Sequence, residues 1–123
     1  MSVERKEFVL RKKTMTKIVV TGGRDYDDVA QVYAVLGALN IKMLYVGDAS
    51  GADALARQFA EYHSIPTKVF KADWDKHGKP AGPIRNELML DEAGDDAIVV
   101  AFLGGPGTRN CVNKAIDRNM IVL

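Results

Sequence analysis

Short apolar runs alternate along the chain with longer stretches in which apolar residues recur every three or four positions. The short runs predict buried strands, and the periodic stretches predict helices that bury one stripe against a core. In chain order, the predicted strands are residues 17–21, 43–46, 67–70, 97–103 and 120–123. This alternation predicts an α/β fold: a Rossmann-like open parallel sheet of about five strands with helices on both faces.

Each predicted helix has an apolar face that the sheet is expected to bury. These faces consist of Val29, Val32, Tyr33, Leu36 and Leu39 in the first helix, Ala52, Leu55, Ala56, Phe59 and Ala60 in the second, Ile84, Leu88 and Met89 in the third, and Val112, Ala115 and Ile116 in the fourth. Ser50 and Asp53 predict a capping box at the start of the second helix. Pro83 is expected in the first turn of the third helix and Gly94 at its end. Residues 71–82 contain few apolar side chains and are predicted to form a long loop.

The composition is that of an ordinary soluble protein. The 123 residues fit one domain, and 47% of them are hydrophobic while 27% are charged. The sequence contains neither a membrane-spanning apolar run nor a secretion signal, so we expect a cytoplasmic protein without membrane contact. A single cysteine, Cys111, excludes an internal disulfide and leaves a cysteine-based metal site without partners. Cys111 is therefore expected to be a small packed residue on a helix.

Positive charge is concentrated at the start of the chain. Residues 1–13 contain five basic residues and two glutamates, a net charge of +3, so a total of +1 leaves −2 for the rest. We expect residues 1–16 to be a basic arm or a short extra strand, residues 7–11, ahead of a Rossmann-like domain of residues 17–123. A basic arm can contact nucleic acid, although a solvated tail or extra strand is favoured.

Glycine-rich segments follow three of the predicted strands, at the edge of an open parallel sheet where ligands usually bind. Their candidate ligand-binding residues are Gly22, Gly23, Arg24 and Asp25 after the first strand, Gly47, Asp48, Ser50, Gly51 and Asp53 after the second, and Gly104, Gly105, Gly107, Thr108 and Asn110 after the fourth. Glycine lets the backbone approach a ligand closely, and the free N–H groups of a helix start favour phosphate. A tight strand-to-helix turn explains any one loop equally well, but three such loops together favour a phosphate site.

The usual nucleotide-binding fingerprints are absent. No GxxxxGK[ST] motif occurs, and the segment Gly105-x-Gly107-x-x-Asn110 lacks the third glycine of the dinucleotide fingerprint. Only 13 residues follow Asn110, too few for the acidic residue that binds ribose about 20 residues further on. A P-loop ATPase and an ordinary NAD dehydrogenase are therefore disfavoured, and we expect neither a bound cofactor nor a metal site.

Charged and aromatic residues near the predicted strand ends supply further candidates. Arg24, Arg85 and Arg109 lie at strand-to-helix junctions or first helical turns, where a guanidinium can bind phosphate through two hydrogen bonds. Asn86, next to Arg85, is included among the ligand-binding candidates. Trp74, the only tryptophan, either stacks on a base or packs the long loop down.

The acidic residues of the first two loops have two interpretations. Asp25, Asp48 and Asp53 can hold ribose hydroxyl groups or a metal ion. Helix capping explains Asp53 at least as well as ligand binding does.

Four motifs in this order resemble a known family: TGGRDYDD, GDASGADALARQFAEYHSIP, KADWDKHGKPAGPIRNELML and GGPGTRN. They are similar to the YspA-like (cpYpsA-related) branch of the SLOG superfamily of bacteria and phages, over about residues 17–120. The resemblance implies a Rossmann-like fold and a nucleotide or nucleotide-sugar ligand. It also implies a homo-oligomer, since relatives in the superfamily are often dimers.

The resemblance extends, more distantly, to the lonely-guy phosphoribohydrolases, which split nucleoside monophosphates with an arginine and a glutamate. Arg85 stands at the position of that arginine, but Asn110 stands at the position of the glutamate. Asparagine cannot act as a carboxylate base or stabilise an oxocarbenium ion by charge. Asp48 and Ser50 also depart from the branch, which often has glycine and a basic residue at these positions.

These observations support three function classes. The leading hypothesis is a module that senses or sequesters a nucleotide-derived small molecule, such as an ADP-ribose or NAD-related species. The first alternative is a nucleotide N-glycosidic hydrolase in which an acid from the first or second loop replaces the missing glutamate. The weaker alternative is nucleic-acid binding through the basic arm.

Overall fold

A computed structural model gives the structure of this chain and describes residues 15–123. The predicted strand over residues 7–11 and the basic arm lie outside the described residues, apart from the last two residues of the arm. Nucleic-acid contact through the arm therefore stays a prediction.

The described chain forms a five-stranded parallel sheet with the order β3-β2-β1-β4-β5, which confirms the predicted fold class. Its elements are β1 (Thr16–Thr21), α1 (Val29–Gly37), β2 (Ile41–Gly47), α2 (Ala52–Tyr62), β3 (Thr67–Phe70), α3 (Trp74–His77), α4 (Ala81–Ala93), β4 (Ile98–Ala101), α5 (Pro106–Asp117) and β5 (Ile121–Val122). Strands β2 and β3 are added at one edge of β1, and the chain then crosses over to place β4 along the other edge of β1. The strand order therefore reverses between β1 and β4, where open parallel sheets hold their ligands.

Each face of the sheet is covered by a different pair of helices. Successive side chains of a strand point to opposite faces, so Ile18 and Val20 of β1 pack on one side and Val19 on the other. The first side carries the core residues of α1 and α2, including Leu36 and Phe59. The second side carries those of α4 and α5, including the fully buried Cys111. The prediction that Cys111 is a packed helical residue is confirmed.

Several predicted apolar faces point partly to solvent. Ile84 and Leu88 were expected to face the core, but 36% and 57% of their surfaces are exposed. The buried face of α4 instead runs through small and polar residues as well as apolar ones, namely Ala81, Gly82, Asn86, Met89, Leu90 and Ala93. Val29 and Ile116 are also exposed, because α1 and α5 bury narrower faces than their apolar residues suggest. None of the helices within residues 15–123 is long and apolar enough to cross a membrane.

The segment predicted as one long loop contains a short helix. The side chain of Asp73 accepts a hydrogen bond from the backbone N–H of Lys76, which caps the single turn of α3. Helix α4 then begins at Ala81, inside the predicted loop, so that Pro83 lies in its first turn as expected. The prediction failed because a cap, and not an apolar stripe, stabilises this turn.

The predicted capping box at the start of α2 is also wrong. The N-cap residue is Gly51, and it makes no side-chain capping bond. Ser50 instead donates from its hydroxyl group to the carbonyl of Arg24, at 3.0 Å. Asp53 accepts from the backbone N–H of Ala49, at 3.3 Å. Ser50 therefore joins the loop after β2 to the loop after β1, and Asp53 bonds within its own loop, where the sequence suggested a helix cap.

Candidate functional site

A cleft of about 1120 Å³ opens at the carboxyl ends of the strands, where the strand order reverses. It is bounded by the loops after β1, β2 and β4 and by the first turns of α4 and α5. Most of the candidate ligand-binding residues line it, namely Gly22, Gly23, Arg24, Asp25, Gly47, Asp53, Trp74, Arg85, Asn86, Gly104, Gly105, Gly107, Thr108 and Asn110. The topology thus brings together residues that are far apart in the sequence.

Four candidates lie elsewhere. Asp48 and Ser50 line a smaller adjacent cavity of about 160 Å³, which shares Arg24, Trp74 and Arg85 with the cleft. Gly51 lines neither cavity. Arg109, expected as a phosphate ligand, is exposed and lies outside both cavities as well.

The loops after β1 and β2 are packed directly against each other. The backbone N–H of Ala52 donates to the carbonyl of Gly23, and the Gly23 N–H donates to the carbonyl of Leu103, at 3.1 and 3.0 Å. Gly51 has a φ of +70°, and a Cβ atom there would collide with the carbonyl groups of Gly23 and Arg24. Glycine at position 51 is therefore required by the fold itself.

The starts of α1 and α2 are already occupied by groups of the protein. The side chain of Asp28 accepts a hydrogen bond from the Gln31 N–H at the start of α1, at 3.0 Å. At the start of α2, the Ala52 N–H is used by Gly23, and the carboxyl group of Asp53 lies in the first turn. Neither helix start is suited to an added anion.

The start of α5 differs from those of α1 and α2 because it has neither a side-chain cap nor an acidic residue in its first turn. Gly105 is the N-cap residue and Pro106 follows it, and the first intrahelical bond runs from the Arg109 N–H to the Gly105 carbonyl at 3.1 Å. The N–H groups of Gly107 and Thr108 precede that bond and have no acceptor within the helix. No acidic residue lies in the first turn. This is a site where a helix dipole and free donors favour an anion.

Arg85 is held at the bottom of the cleft by three acceptors. Its Nη1 donates to Asp48 and to the carbonyl of Phe70, both at 3.3 Å, and its Nε donates to Asn86 Oδ1 at 3.0 Å. Only 14% of the Arg85 side chain is exposed. Among residues 15–123 no partner is found for Nη2, so this group can take a ligand that enters the cleft.

Asn86 connects Arg85 to the start of α5. Its side chain is buried, and its Nδ2 donates to the carbonyl of Gly107 at 3.3 Å and to Asn110 Oδ1 at 3.2 Å. All of these bonds link groups within the protein. Asn86 therefore joins the two walls of the cleft.

Asp53 is a buried carboxyl group that lines the cleft, with 5% of its surface exposed. Burial raises the pKa of Asp53 to about 6, against the opposing effects of Arg85, the Ala49 N–H group and Arg57. Near neutral pH this side chain can therefore exchange a proton, as a general acid or base does. Within residues 15–123, no group of three His, Cys, Asp or Glu side chains is arranged to hold a metal ion.

Trp74 lies on α3 at the rim of the cleft, with 46% of its surface exposed. The guanidinium group of Arg24 lies over its indole, 5.7 Å from the ring centre, within the range of a cation–π contact. An exposed aromatic face at the edge of a cleft can stack on a base.

Two residues near the cleft were missed by sequence reasoning. Arg57 donates to the carbonyls of Gly47 and Ala49, at 2.7 and 3.1 Å, and so fixes the loop after β2. Its position one turn after Asp53 on α2 was the available signal. Lys79, in the segment predicted as a loop, lines the cleft and adds a positive charge there.

The Cys111 thiol lies beneath the cleft and is not poised for chemistry. Burial raises its pKa to about 11, against smaller opposing effects that include a hydrogen bond with Thr21. A thiol with this pKa stays protonated at neutral pH and is a poor nucleophile.

Comparison with known proteins identifies the family. The model of the YspA, cpYpsA-related SLOG family (YAcAr) matches residues 16–77, which include the loops after β1 and β2 and the helix α3. Arg85 and Asn110 lie beyond the matched residues. The chain is also similar to the Gene 61 protein of Mycobacterium phage D29, with 33% identity over 112 residues that cover 82% of this chain and 89% of the relative. No solved structure matches significantly.

Proposed function

Because this chain belongs to the YspA, cpYpsA-related SLOG family, we propose that it binds a nucleotide-derived small molecule in the cleft, such as an ADP-ribose or NAD-related species. The protein senses or sequesters this ligand without cleaving it. The observation that carries the proposal is the uncapped start of α5, which opens into the cleft with free N–H donors.

In this proposal the phosphate lies at the start of α5. The starts of α1 and α2 are excluded because Asp28 and Asp53 already place carboxyl groups there. Arg85 reaches the same cleft with its Nη2 group, and Arg24 and Lys79 supply further positive charge. The base stacks on Trp74 at the rim.

Binding without cleavage is favoured by the residue at position 110. The glutamate of the lonely-guy phosphoribohydrolases would supply a carboxylate there, whereas Asn110 supplies none. Its Oδ1 accepts from Asn86, so this side chain has a role within the protein as well.

One observation favours the alternative of an N-glycosidic hydrolase. Asp53 is a carboxyl group in the cleft, and its pKa of about 6 is suited to proton transfer near neutral pH. In this alternative Asp53 replaces the missing glutamate. Release of free base from a nucleotide separates the two functions.

Calorimetric titration with ADP-ribose, NAD, AMP and adenosine, with chromatography of the same mixtures, tests both functions. We expect a phosphate-bearing compound to bind and no free base to appear. Replacing Arg85 by alanine removes a hydrogen bond to a charged group, about 1.5 to 3 kcal/mol, and lowers affinity by about one to two decades.

Arg118→Ala is the matched control. Arg118 makes ion pairs with Glu87 and Asp91 away from the cleft, so its loss should leave affinity unchanged. Robust turnover by the parent protein, at a rate that Arg85→Ala does not change, would contradict both the binding function and the position of the site.

A further inference from the structure

Three acidic side chains in the first two loops are candidates for binding ribose hydroxyl groups, and their surroundings differ. The side chain of Asp25 is exposed and makes no hydrogen bond or ion pair within residues 15–123. Asp53 is buried, and its Oδ2 accepts from the N–H of Ala49. Asp48 is held in place by other groups of the protein and is still partly exposed. Only Asp48 combines a fixed position with access from solvent.

The carboxylate of Asp48 is fixed through one of its two oxygens. Nη1 of Arg85 donates to Oδ1 at 3.3 Å, and the backbone N–H of Ala72 reaches the same oxygen at 3.5 Å, the limit of a hydrogen bond. The other oxygen, Oδ2, makes no hydrogen bond within residues 15–123. Because 35% of this side chain is exposed, Oδ2 can accept a hydrogen bond from a ligand.

Asp48 lines the smaller cavity of about 160 Å³, together with Arg24, Ser50, Trp74 and Arg85. Pockets that hold a whole small molecule usually have a volume of about 300 Å³ or more. This cavity is therefore suited to one part of a ligand. Since Arg24, Trp74 and Arg85 border the large cleft as well, the rest of the same ligand can lie there.

The strand order arranges the parts of the site along one edge of the sheet. Trp74 follows β3, Asp48 follows β2 and the start of α5 follows β4, in a sheet with the order β3-β2-β1-β4-β5. In the proposed function, the base stacks on Trp74 and the phosphate lies at the start of α5. Asp48 follows a strand between these two positions, and the sugar of a nucleotide lies between its base and its phosphate.

The chemistry of Asp48 favours a hydroxyl group over a phosphate in the small cavity. A carboxylate only accepts hydrogen bonds, a hydroxyl group can donate one, and dinucleotide-binding domains hold a ribose hydroxyl with an acidic residue. A phosphate group would be repelled by the carboxylate. The charge of Arg85 is balanced by its ion pair with Asp48, and the guanidinium group of Arg24 lies over Trp74.

We propose that Asp48 is a specificity-determining residue, whose free oxygen accepts from the ribose hydroxyl group that deoxyribose lacks, on the sugar next to the stacked base. The protein therefore selects ribonucleotide-derived ligands over deoxyribose forms and over forms with a phosphate on that ribose. This inference rests on the proposed function and names the sugar that the site takes. The branch that the chain resembles often has glycine at this position, so the selection distinguishes this chain from such relatives.

Calorimetric titration of the parent with three matched ligands tests the inference. They are ADP-ribose, its analogue with a deoxyribose next to the adenine, and its analogue with an extra phosphate on that ribose. We expect the deoxyribose analogue to bind about 10- to 100-fold more weakly, because a hydrogen bond to a charged group is lost. The extra phosphate should weaken binding by about tenfold or more. NAD and NADP, which differ by the same phosphate, repeat the comparison on a second ligand.

Asp48→Asn separates recognition of the sugar from the positioning of Arg85. Arg85 and the Ala72 N–H can only donate, so the amide oxygen still accepts from them and the amide nitrogen replaces Oδ2. The affinities for ADP-ribose and the deoxyribose analogue should then agree to within about threefold, since no charged acceptor faces the sugar. The analogue with the extra phosphate should bind at least as tightly as ADP-ribose.

Asp75→Asn is the matched control, since Asp75 is exposed on α3, beside Trp74, and lines neither cavity. It makes the same change of charge and should leave the relative affinities for the three ligands within about twofold of the parent values. Thermal unfolding of each variant shows whether the protein is folded. If Asp48→Asn does not fold, Asp48→Gly, which introduces the residue common in the related branch, makes the same test.

The outcomes separate this inference from the proposed function. If the parent binds ADP-ribose and the deoxyribose analogue equally well, or prefers the analogue with the extra phosphate, the inference is overturned and the proposed function still stands. If Asp48 only positions Arg85, folded Asp48→Asn weakens all three ligands by the same factor, which also overturns the inference. If the parent binds none of ADP-ribose, NAD and AMP, the proposed function itself fails.

Discussion

The glycines around the cleft fall into two groups with different surroundings. In the loops after β1 and β2, Gly22, Gly23, Gly47 and Gly51 are crowded: a Cβ atom on any of them would meet protein atoms at distances that real side chains do not tolerate. In the loop after β4, Gly104 is equally crowded, whereas a Cβ on Gly105 or Gly107 would meet no atom within 4 Å. The crowded glycines let two loops and their neighbours pack together.

This difference changes how a glycine-rich loop is interpreted. The crowded glycines are explained by the fold and carry no information about a ligand. The open ones are not needed for packing, and they lie where the uncapped start of α5 enters the cleft. We infer that the proposed phosphate site, if glycine freedom marks it, belongs to Gly105 and Gly107 in the loop after β4 and is not spread over three equivalent loops.

The largest effect is expected where crowding and backbone conformation combine, at Gly51. Gly51→Ala adds a Cβ against two carbonyl groups and forces alanine into a φ of +70°. Strain and overpacking should each cost about 1 to 3 kcal/mol, so the free energy of unfolding should fall by about 2 to 6 kcal/mol. Urea denaturation measures the loss.

Gly37→Ala is the control for this variant. Gly37 is the last residue of α1, and a Cβ there meets no atom within 4 Å. This variant should be as stable as the parent or slightly more stable. Equal stability of Gly51→Ala and Gly37→Ala would remove the distinction between crowded and open glycines.

The crowded region also contains Asp53, and its buried carboxyl group should cost stability at neutral pH. Its pKa of about 6 exceeds the ordinary 3.8, so the folded protein holds a proton that the unfolded chain releases between these values. Binding of this proton stabilises the folded state fully below pH 4. As the pH rises through 6 this contribution is lost, and the free energy of unfolding falls by about 3 kcal/mol in total. Asp53→Asn should therefore be more stable than the parent at pH 7, by up to about 3 kcal/mol, and equally stable at pH 4.

Urea denaturation across this pH range provides the measurement, and the exposed Asp95 provides the control. Asp95→Asn should leave the pH dependence of the parent unchanged. An Asp53→Asn variant that loses stability with rising pH as steeply as the parent would show that Asp53 is not the group that titrates.

Substitutions at the open glycines of the loop after β4 should weaken ligand binding and leave the stability of the fold unchanged. Gly107→Val places a branched side chain at the start of α5 beside the cleft, at a position where an added Cβ meets no protein atom within 4 Å. We expect affinity for ADP-ribose to fall by at least about 100-fold, or 2.7 kcal/mol, with little change in the unfolding temperature. Retained affinity in titration calorimetry would remove this loop from the site.

The strands and the cleft were predictable because they depend on local patterns. The apolar run over residues 97–103 is typical of a central strand, and β4 lies within it. The glycine-rich segments follow strands whose carboxyl ends the topology must bring together.

Contacts between distant residues were not predictable in this way. Ser50 and Asp53 have the spacing of a capping box. In the structure, however, the Ser50 hydroxyl group and the backbone N–H of Ala52 both donate to carbonyl groups of the loop after β1. The bond between Asn86 and Asn110 joins α4 to α5, and no local pattern reveals it. Sequence reasoning placed both asparagines in the site and missed that they orient each other.

The smallest effect is expected at the rim of the cleft, where Trp74 lies outside both the crowded and the open glycine loops. Its ring lies above Gly82, and Arg24 lies over one of its faces, so the indole has packing partners without a ligand. If a base also stacks on it, Trp74→Ala should cost about 1 to 3 kcal/mol of binding, while Trp74→Phe, which keeps an aromatic ring, should cost less. The fluorescence of this single tryptophan should change during a titration of the parent with ADP-ribose. Unchanged fluorescence, together with unchanged affinity of Trp74→Ala, would assign Trp74 to packing, and a lower unfolding temperature would then be its only expected effect.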